Sequence, residues 1–249
     1  METIVPKTST ALTALLRADF TTQWRNRRSS VLALLVPVII LISWKPFIEM
    51  LGGPFVLSSG ITVGLIAIGI MGYSNAVARD RDKGVFQRLR VTPVPTWCIM
   101  LSRLIVQLAM IMLLTTVVFI AGHYYDGITI STEGYALTFF SAIVGSTVYL
   151  GLGQLIVGLV KNAETVNSTT RLVYFVFIMV GMVGQIVIKN KSAKDIIQWS
   201  PYGTVKDILA GSMEPSKWNS HTSMALFVTV LYAIVFSVLG IKRFKWDSK

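Results

Sequence analysis

The chain has 249 residues, 53% of them hydrophobic and 14% charged, with a mean hydropathy of +0.64; this is too apolar for an ordinary soluble domain and fits a polytopic membrane protein. The net charge of +11 does not indicate nucleic acid binding, which needs a basic face on a soluble fold, because the charges fall in short breaks between apolar runs. The single cysteine, Cys98, excludes an intrachain disulfide and any multi-thiolate metal site within one chain.

Residues 1–30 carry Lys7, Arg17, Arg25, Arg27 and Arg28 and no apolar run long enough for a signal-peptide core, so no cleavable leader is expected. Leu12, Leu15, Leu16, Phe20 and Trp24 recur at helical spacing, which predicts a partly amphipathic helix. Such a helix either lies in the membrane interface ahead of the first span or packs against protein.

Six nearly uncharged runs follow, to be measured against the roughly 20 residues a helix needs to cross a bilayer. The first, 31–44, holds only 14 residues before Lys45. It has to borrow from its flanks, with Lys45 snorkelling and Pro37 bending it. The others, 54–78, 104–121, 134–160, 172–188 and 222–241, are clearer. Six spans put both termini on one side. The N-terminal segment, the 79–103 and 161–171 breaks and the C-terminal tail hold 17 basic residues against 6 on the other side. The positive-inside rule makes the first group cytoplasmic, in the cell membrane. Acids divide six and six, so the whole net charge faces the cytoplasm and Cys98 sits near the cytoplasmic end of the third span.

Between the second and third runs, Arg79, Asp80, Arg81, Asp82, Lys83, Arg88 and Arg90 fall within twelve positions, and Pro93 and Pro95 stop any helix. If residues 82–91 are helical, Val85, Phe86 and Leu89 share one face while Gln87 and Arg88 turn outward, the shape of a short docking helix at the membrane surface. Asp80-Arg81-Asp82-Lys83-Gly84, followed by Val85-Phe86-Gln87-Arg88-Leu89-Arg90 and closed by Thr92-Pro93, resembles the cytoplasmic-loop signature of ABC-2 type permeases. These are the membrane halves of ATP-driven exporters of drugs, lipids and polysaccharides. The chain departs from that pattern in having Asp for both acids where Glu is usual, Gln87 for a frequent Glu, and Arg90 where an apolar residue is commoner. The resemblance implies that this loop, residues 79–97, couples the chain to an ATPase, with Phe86, Leu89 and Val85 as a docking face.

The stretch 189–221 is the only long break on the opposite side. It carries apolar clusters (Ile196, Ile197 and Trp199; Val205, Ile208 and Leu209) on either side of Ser200-Pro201-Tyr202-Gly203, a turn signal. This resembles the paired short helices that ABC-2 permeases dip into the outer leaflet; a structured outer loop is the alternative.

No Gly-Lys dipeptide occurs, so the chain has no phosphate loop and is not expected to be an ATPase itself. Leu150-Gly151-Leu152-Gly153-Gln154 lies in an uncharged run and reads as small-residue helix packing, like Gly60, Gly64, Gly145 and Gly158. His123 and His221 are the only imidazoles, and with no carboxylate pair inside a span neither a metal nor a hydrolytic site is expected. Tyr73, Asn75, Gln107, Tyr149, Gln154 and Gln185 are candidates for a substrate path, although one amide per helix is also what interhelical hydrogen bonding produces. Arg103, two turns into the third helix, should snorkel or pair with an acid of the 79–90 segment.

The expected fold is therefore all-α: a single six-span transmembrane domain over 1–249 with an N-terminal helix at the membrane surface. The resemblance implies a permease for a hydrophobic or amphipathic cargo, working as two permease chains, identical or different, with two ATPase subunits. ATP and Mg would be bound by the partner ATPase, with no cofactor in this chain. A polysaccharide or teichoic acid exporter and a non-transporting receptor or assembly protein are the rival functions.

Overall fold

Segments that cross a bilayer must satisfy their backbone internally, and every regular element among the described residues is a helix. The structure is a computed structural model and describes residues 7–25, 27–90, 95–188 and 190–244. Val91, Thr92 and Pro93 lie outside the described residues, as does the side chain of Arg90.

In chain order, α1 (Thr8–Arg25) leads into α2 (Arg27–Ser43), a short turn (Lys45–Phe47) and α3 (Ile48–Leu51). The helix α4 (Gly53–Ile66) continues through a π-helical stretch, Ala67–Tyr73, into α5 (Ser74–Asp82), and α6 (Val85–Arg90) follows. Next come α7 (Thr96–Tyr124), α8 (Thr132–Leu159) and α9 (Ala163–Val176), which runs through a second π-helical stretch, Phe177–Val183, into α10 (Gly184–Val187). The chain ends with α11 (Lys191–Trp199), α12 (Pro201–Met213) and α13 (Ser220–Arg243).

Five of these assemblies are long and apolar enough to cross a membrane: Gly53–Asp82, Trp97–Tyr124, Thr132–Leu159, Ala163–Val187 and Ser220–Arg243. The weak first run becomes a sixth span only as a bent pair, Val31–Ser43 with Lys45–Leu51, meeting at 51°. The bend lies at Trp44, because α2 continues as one helix through Pro37, the residue expected to bend it. Lys45, beyond the bend, donates to the Tyr125 carbonyl at 2.8 Å and stands 4.6 Å from the Tyr125 ring centroid. Its charge is thus held at the far end of α7.

The second span is the mast of the bundle: 83% of its most apolar window is buried, against 17% for the sixth. Glycines set how closely its neighbours approach. A Cβ on Gly64 would run into Leu114 of α7, and one on Gly153 of α8 would strike the Gly69 carbonyl in the π-helical stretch. The pair α8 and α13 closes in the same way, with Gly151 against Ser237 and Gly240 against Leu155. The N-terminal helix α1 packs along α7, so protein covers one of its faces; Phe20 and Trp24 remain exposed.

The break at 189–221 is not a loose loop. Ser200 caps α12 by accepting from the Gly203 N–H at 3.3 Å, and Pro201 follows at the first helical position, so the expected turn is the start of a helix. That helix is buried along most of its length against α4, α8 and α13. Val205 fills the space over Gly145, Ser212 bonds Ser141 at 2.6 Å, and Pro201 takes a hydrogen bond from the Tyr149 hydroxyl at 3.0 Å. Tyr149 lies ten residues from the end of α8, about 15 Å along its axis, so α12 reaches down to the middle of the bundle.

The thiol of Cys98 is fully buried, so topology is best tested with other positions in a Cys98→Ala background. Lys217→Cys, on an exposed side chain, should react with an impermeant maleimide in intact cells, and Arg88→Cys only in inverted vesicles. The reverse pattern would invert the topology read from the basic residues.

Candidate functional site

Consecutive residues on a helix point about 100° apart, so three adjacent charges at the end of α5 address three different neighbours. Asp80 pairs with Arg103 of α7 at 2.6 Å. Arg81 is buried and donates to the carbonyls of Val157 at 2.8 Å, Val160 at 2.7 Å and Lys161 at 2.5 Å, the open C-terminal end of α8. Asp82 accepts from the Ala163 N–H at 3.1 Å, at the start of α9, where Asn162 caps the helix. A cation thus sits on the negative end of one helix dipole and an anion on the positive end of the next.

The helix expected over 82–91 is divided. Lys83 ends α5, Gly84 takes φ +69, and α6 starts afresh at Val85. A left-handed residue after the last turn is what stops α5, and glycine takes it without the penalty a Cβ would bring. Along α6, Gln87 and Arg88 face outward as expected. Phe86 does not project: it is 1% exposed, meets Phe244 edge-on with centroids 5.9 Å apart, and carries the Arg103 guanidinium 4.8 Å from its ring centroid. The apolar face of α6, with Leu89 and Val85 partly buried, therefore anchors the helix to its own chain, and the exposed edge available to another protein is Lys83, Gln87 and Arg88.

Arg103 joins this cluster to α1. Its neighbour Ser102 donates to Asp19 Oδ2 at 2.5 Å. Burial raises the Asp19 carboxyl above the usual carboxylate range, against the Ser102 hydrogen bond and the charge of Arg103, which hold it down. The charges of 79–90 and their partners thus tie together α1, α5, α6, α7 and the α8–α9 turn.

The six polar residues proposed for a substrate path separate into two sets. Tyr73 donates to Gln154 at 2.6 Å, Tyr149 bonds Pro201, and Gln185 accepts from Lys206 at 3.0 Å; these four hold helices together. Asn75 and Gln107 instead line a cavity of about 740 Å³ bounded by α1, α2, the second span, α7 and α9. Arg79, Glu164, Asn167 and Arg171 also line it, and these escaped the sequence reading. The spacing 164, 167, 171, 174 in α9 is a polar stripe at helical period and was the available signal. Among the described residues no group of three His, Cys, Asp or Glu could hold a metal.

Removing the Arg81 head would leave three carbonyls without their donor and Asp80 and Asp82 without the intervening anchor. Arg81→Met should lower the thermal midpoint of the purified chain, by a loss of about 3 kcal/mol or more, whereas exposed Arg88→Gln should not. Phe86→Ala should behave like Arg81→Met, by about 3 kcal/mol, because it empties a packed site. Equal midpoints for wild type and Arg81→Met would show that the bonds from Arg81 to the end of α8 carry no stability.

The family model for the ABC-2 type transporter membrane domain matches residues 10–202. The chain is also 24% identical over 175 residues to a Bacillus subtilis (strain 168) protein named "Putative transport permease YvfS", a match spanning 69% of each. The family match runs from within α1 through the bracketed 79–90 segment to the start of α12, more than half of the chain. The chain belongs to the ABC-2 type transporter family.

Proposed function

We propose that the chain is the membrane subunit of an ATP-binding cassette exporter, moving an amphipathic molecule out of the cytoplasm or inner leaflet. It works in the cell membrane with both termini cytoplasmic, beside a second permease chain and two ATPase subunits that hold ATP and Mg. The observation that carries this reading is the clamped α6. The six-residue α6 is held to the bundle by the buried Phe86 ring and follows directly on the end of α5, which is itself fixed by the Asp80–Arg103 ion pair and by Arg81 and Asp82 on two helix ends, an arrangement suited to transmitting force from the exposed edge of α6. Lys83, Gln87 and Arg88 form that edge, and an ATPase is the partner that the family provides. On the opposite side, α11 and α12 form a re-entrant pair that closes the outer half of the bundle.

Two results test this. Alone, the purified chain should neither bind nor hydrolyse ATP. Co-expressed with its partner ATPase, Arg88→Glu should cut association about tenfold, roughly 1.4 kcal/mol, with an unchanged thermal midpoint. Full association and full export by a well-inserted Arg88→Glu, Gln87→Ala double variant would remove α6 as the coupling element.

A further inference from the structure

The cavity beside α9 is ordered along its length. At the end nearest α6 its wall is charged, with Arg79 from α5 and Glu164 and Arg171 from α9. At the other end it is apolar, with Leu32, Val36, Ile68 and Met110. Along the second span it extends from Arg79 to Ala67, twelve residues or about 18 Å. Two amides stand between these ends. Gln107 is only 5% exposed and lines the cavity, and Asn75 Oδ1 is buried with no hydrogen-bond partner among the described residues. A buried amide oxygen is satisfied in nearly all folded proteins, so this orphan beside the cavity points to a partner that binds there. The guanidinium of Arg171 makes no hydrogen bond or ion pair among the described residues, and Arg79 spends only Nε, on the Asn75 carbonyl at 3.1 Å.

We propose that this cavity binds an amphiphile whose head carries one acidic group, carboxylate or phosphate, next to a hydroxyl or amide, with its apolar part along the deeper wall. Two guanidinium groups against one carboxylate leave the polar end with a net charge of +1, which suits a single anion. The Arg forks take the acid in paired hydrogen bonds, Gln107 serves as donor or acceptor, and Asn75 Oδ1 takes the N–H or O–H of the neighbouring group. The volume is that of a site for one small ligand, and the split between wet and dry walls fixes the direction in which it lies. The assignment rests on the reading of the chain as a permease only for its role in transport; the binding chemistry stands apart from it.

The probe is N-dodecanoylglycine, which has a carboxylate, an amide N–H and a single alkyl chain. Binding is measured below its micelle concentration by isothermal titration of the detergent-purified chain without any ATPase. The expected order is N-dodecanoylglycine first, with its methyl ester and dodecyltrimethylammonium each about tenfold weaker or worse. Arg79→Gln and Arg171→Gln should each weaken the acid about tenfold and leave the ester unchanged. Glu164→Gln should bind the acid more tightly, a gain that a misfolded variant could not show. Equal affinity for acid and ester, or unchanged binding of the acid by both arginine variants, would overturn the proposal. In nanodiscs, competition by added phosphatidylglycerol would assign the site to a bilayer lipid, and its absence would assign it to the exported cargo. Both results keep the site. A chain that binds the acid but fails to recruit an ATPase would keep the site and refute the transport role.

Discussion

The guanidinium of Arg81 on the last carbonyls of α8 is the interaction on which the charged end of the bundle depends. A helix terminus leaves its final carbonyls without intrahelical partners. Arg81 supplies donors to the carbonyl of Val157 in the last turn and to those of Val160 and Lys161 just beyond it, while Asp82, one residue on, takes a donor from the first turn of α9. The α8–α9 turn is therefore bonded directly to the end of α5. Any displacement of α6 that is carried by α5 must be carried by the fourth and fifth spans too. Asp80 extends the same rigid unit to the third span through Arg103, and Ser102 carries it on to α1.

At the opposite end the binding is of another kind. There α12 is held by shape, with Val205 in the space left by Gly145 and Tyr202 against Gly181, and by a few hydrogen bonds between hydroxyls and carbonyls. Its one buried charge, Lys206, is shared between Asp207 at 3.2 Å, Gln185 and the face of Phe55, 4.2 Å from the ring centroid. That arrangement spreads the cost of burying an ammonium over an ion pair, an amide and a ring. One end of the bundle is thus welded by ions and the other fitted by small residues, an asymmetry suited to driving at the first and yielding at the second.

Much of this was legible in the sequence and the rest was not, for physical reasons. Long uncharged runs have one structural solution in a bilayer, so five spans and the defect of the first could be read from where Lys45 interrupts it. The exact position of the bend could not, because proline marks a missing donor and leaves open whether neighbouring helices keep the helix straight. Period groups Val85, Phe86 and Leu89 on one face of α6, but it cannot say whether that face looks outward to a partner or inward to Phe244. Tyr73 and Gln154 are 81 residues apart, and nothing local distinguishes a residue satisfied across that distance from one left facing a cavity, as Gln107 is. The burial of α12 was hidden for a related reason. Its two polar flanks, Lys206 and Asp207, satisfy each other, and a sequence shows charges before it shows pairs.

The π-helical stretch Ala67–Tyr73 has a bearing on all of this that its apolar sequence conceals. A wide turn holds residues that an α-helix would have spent on advancing, so it sets the rotational phase of everything after it. Deleting a single residue there would leave a good α-helix of sufficient length to span. Because the wide turn absorbs the extra residue, that deletion would leave Asp80, Arg81 and Asp82 facing nearly as before, whereas closing the turn into α-helix with every residue kept would rotate them by about 100°, so that each would face its neighbour's partner. The second span is in this sense a keyed shaft. Its length is forgiving, its angle is not, and a change in which turn is wide would re-aim the three charges without breaking a covalent bond or altering a contact in the upper half of the bundle.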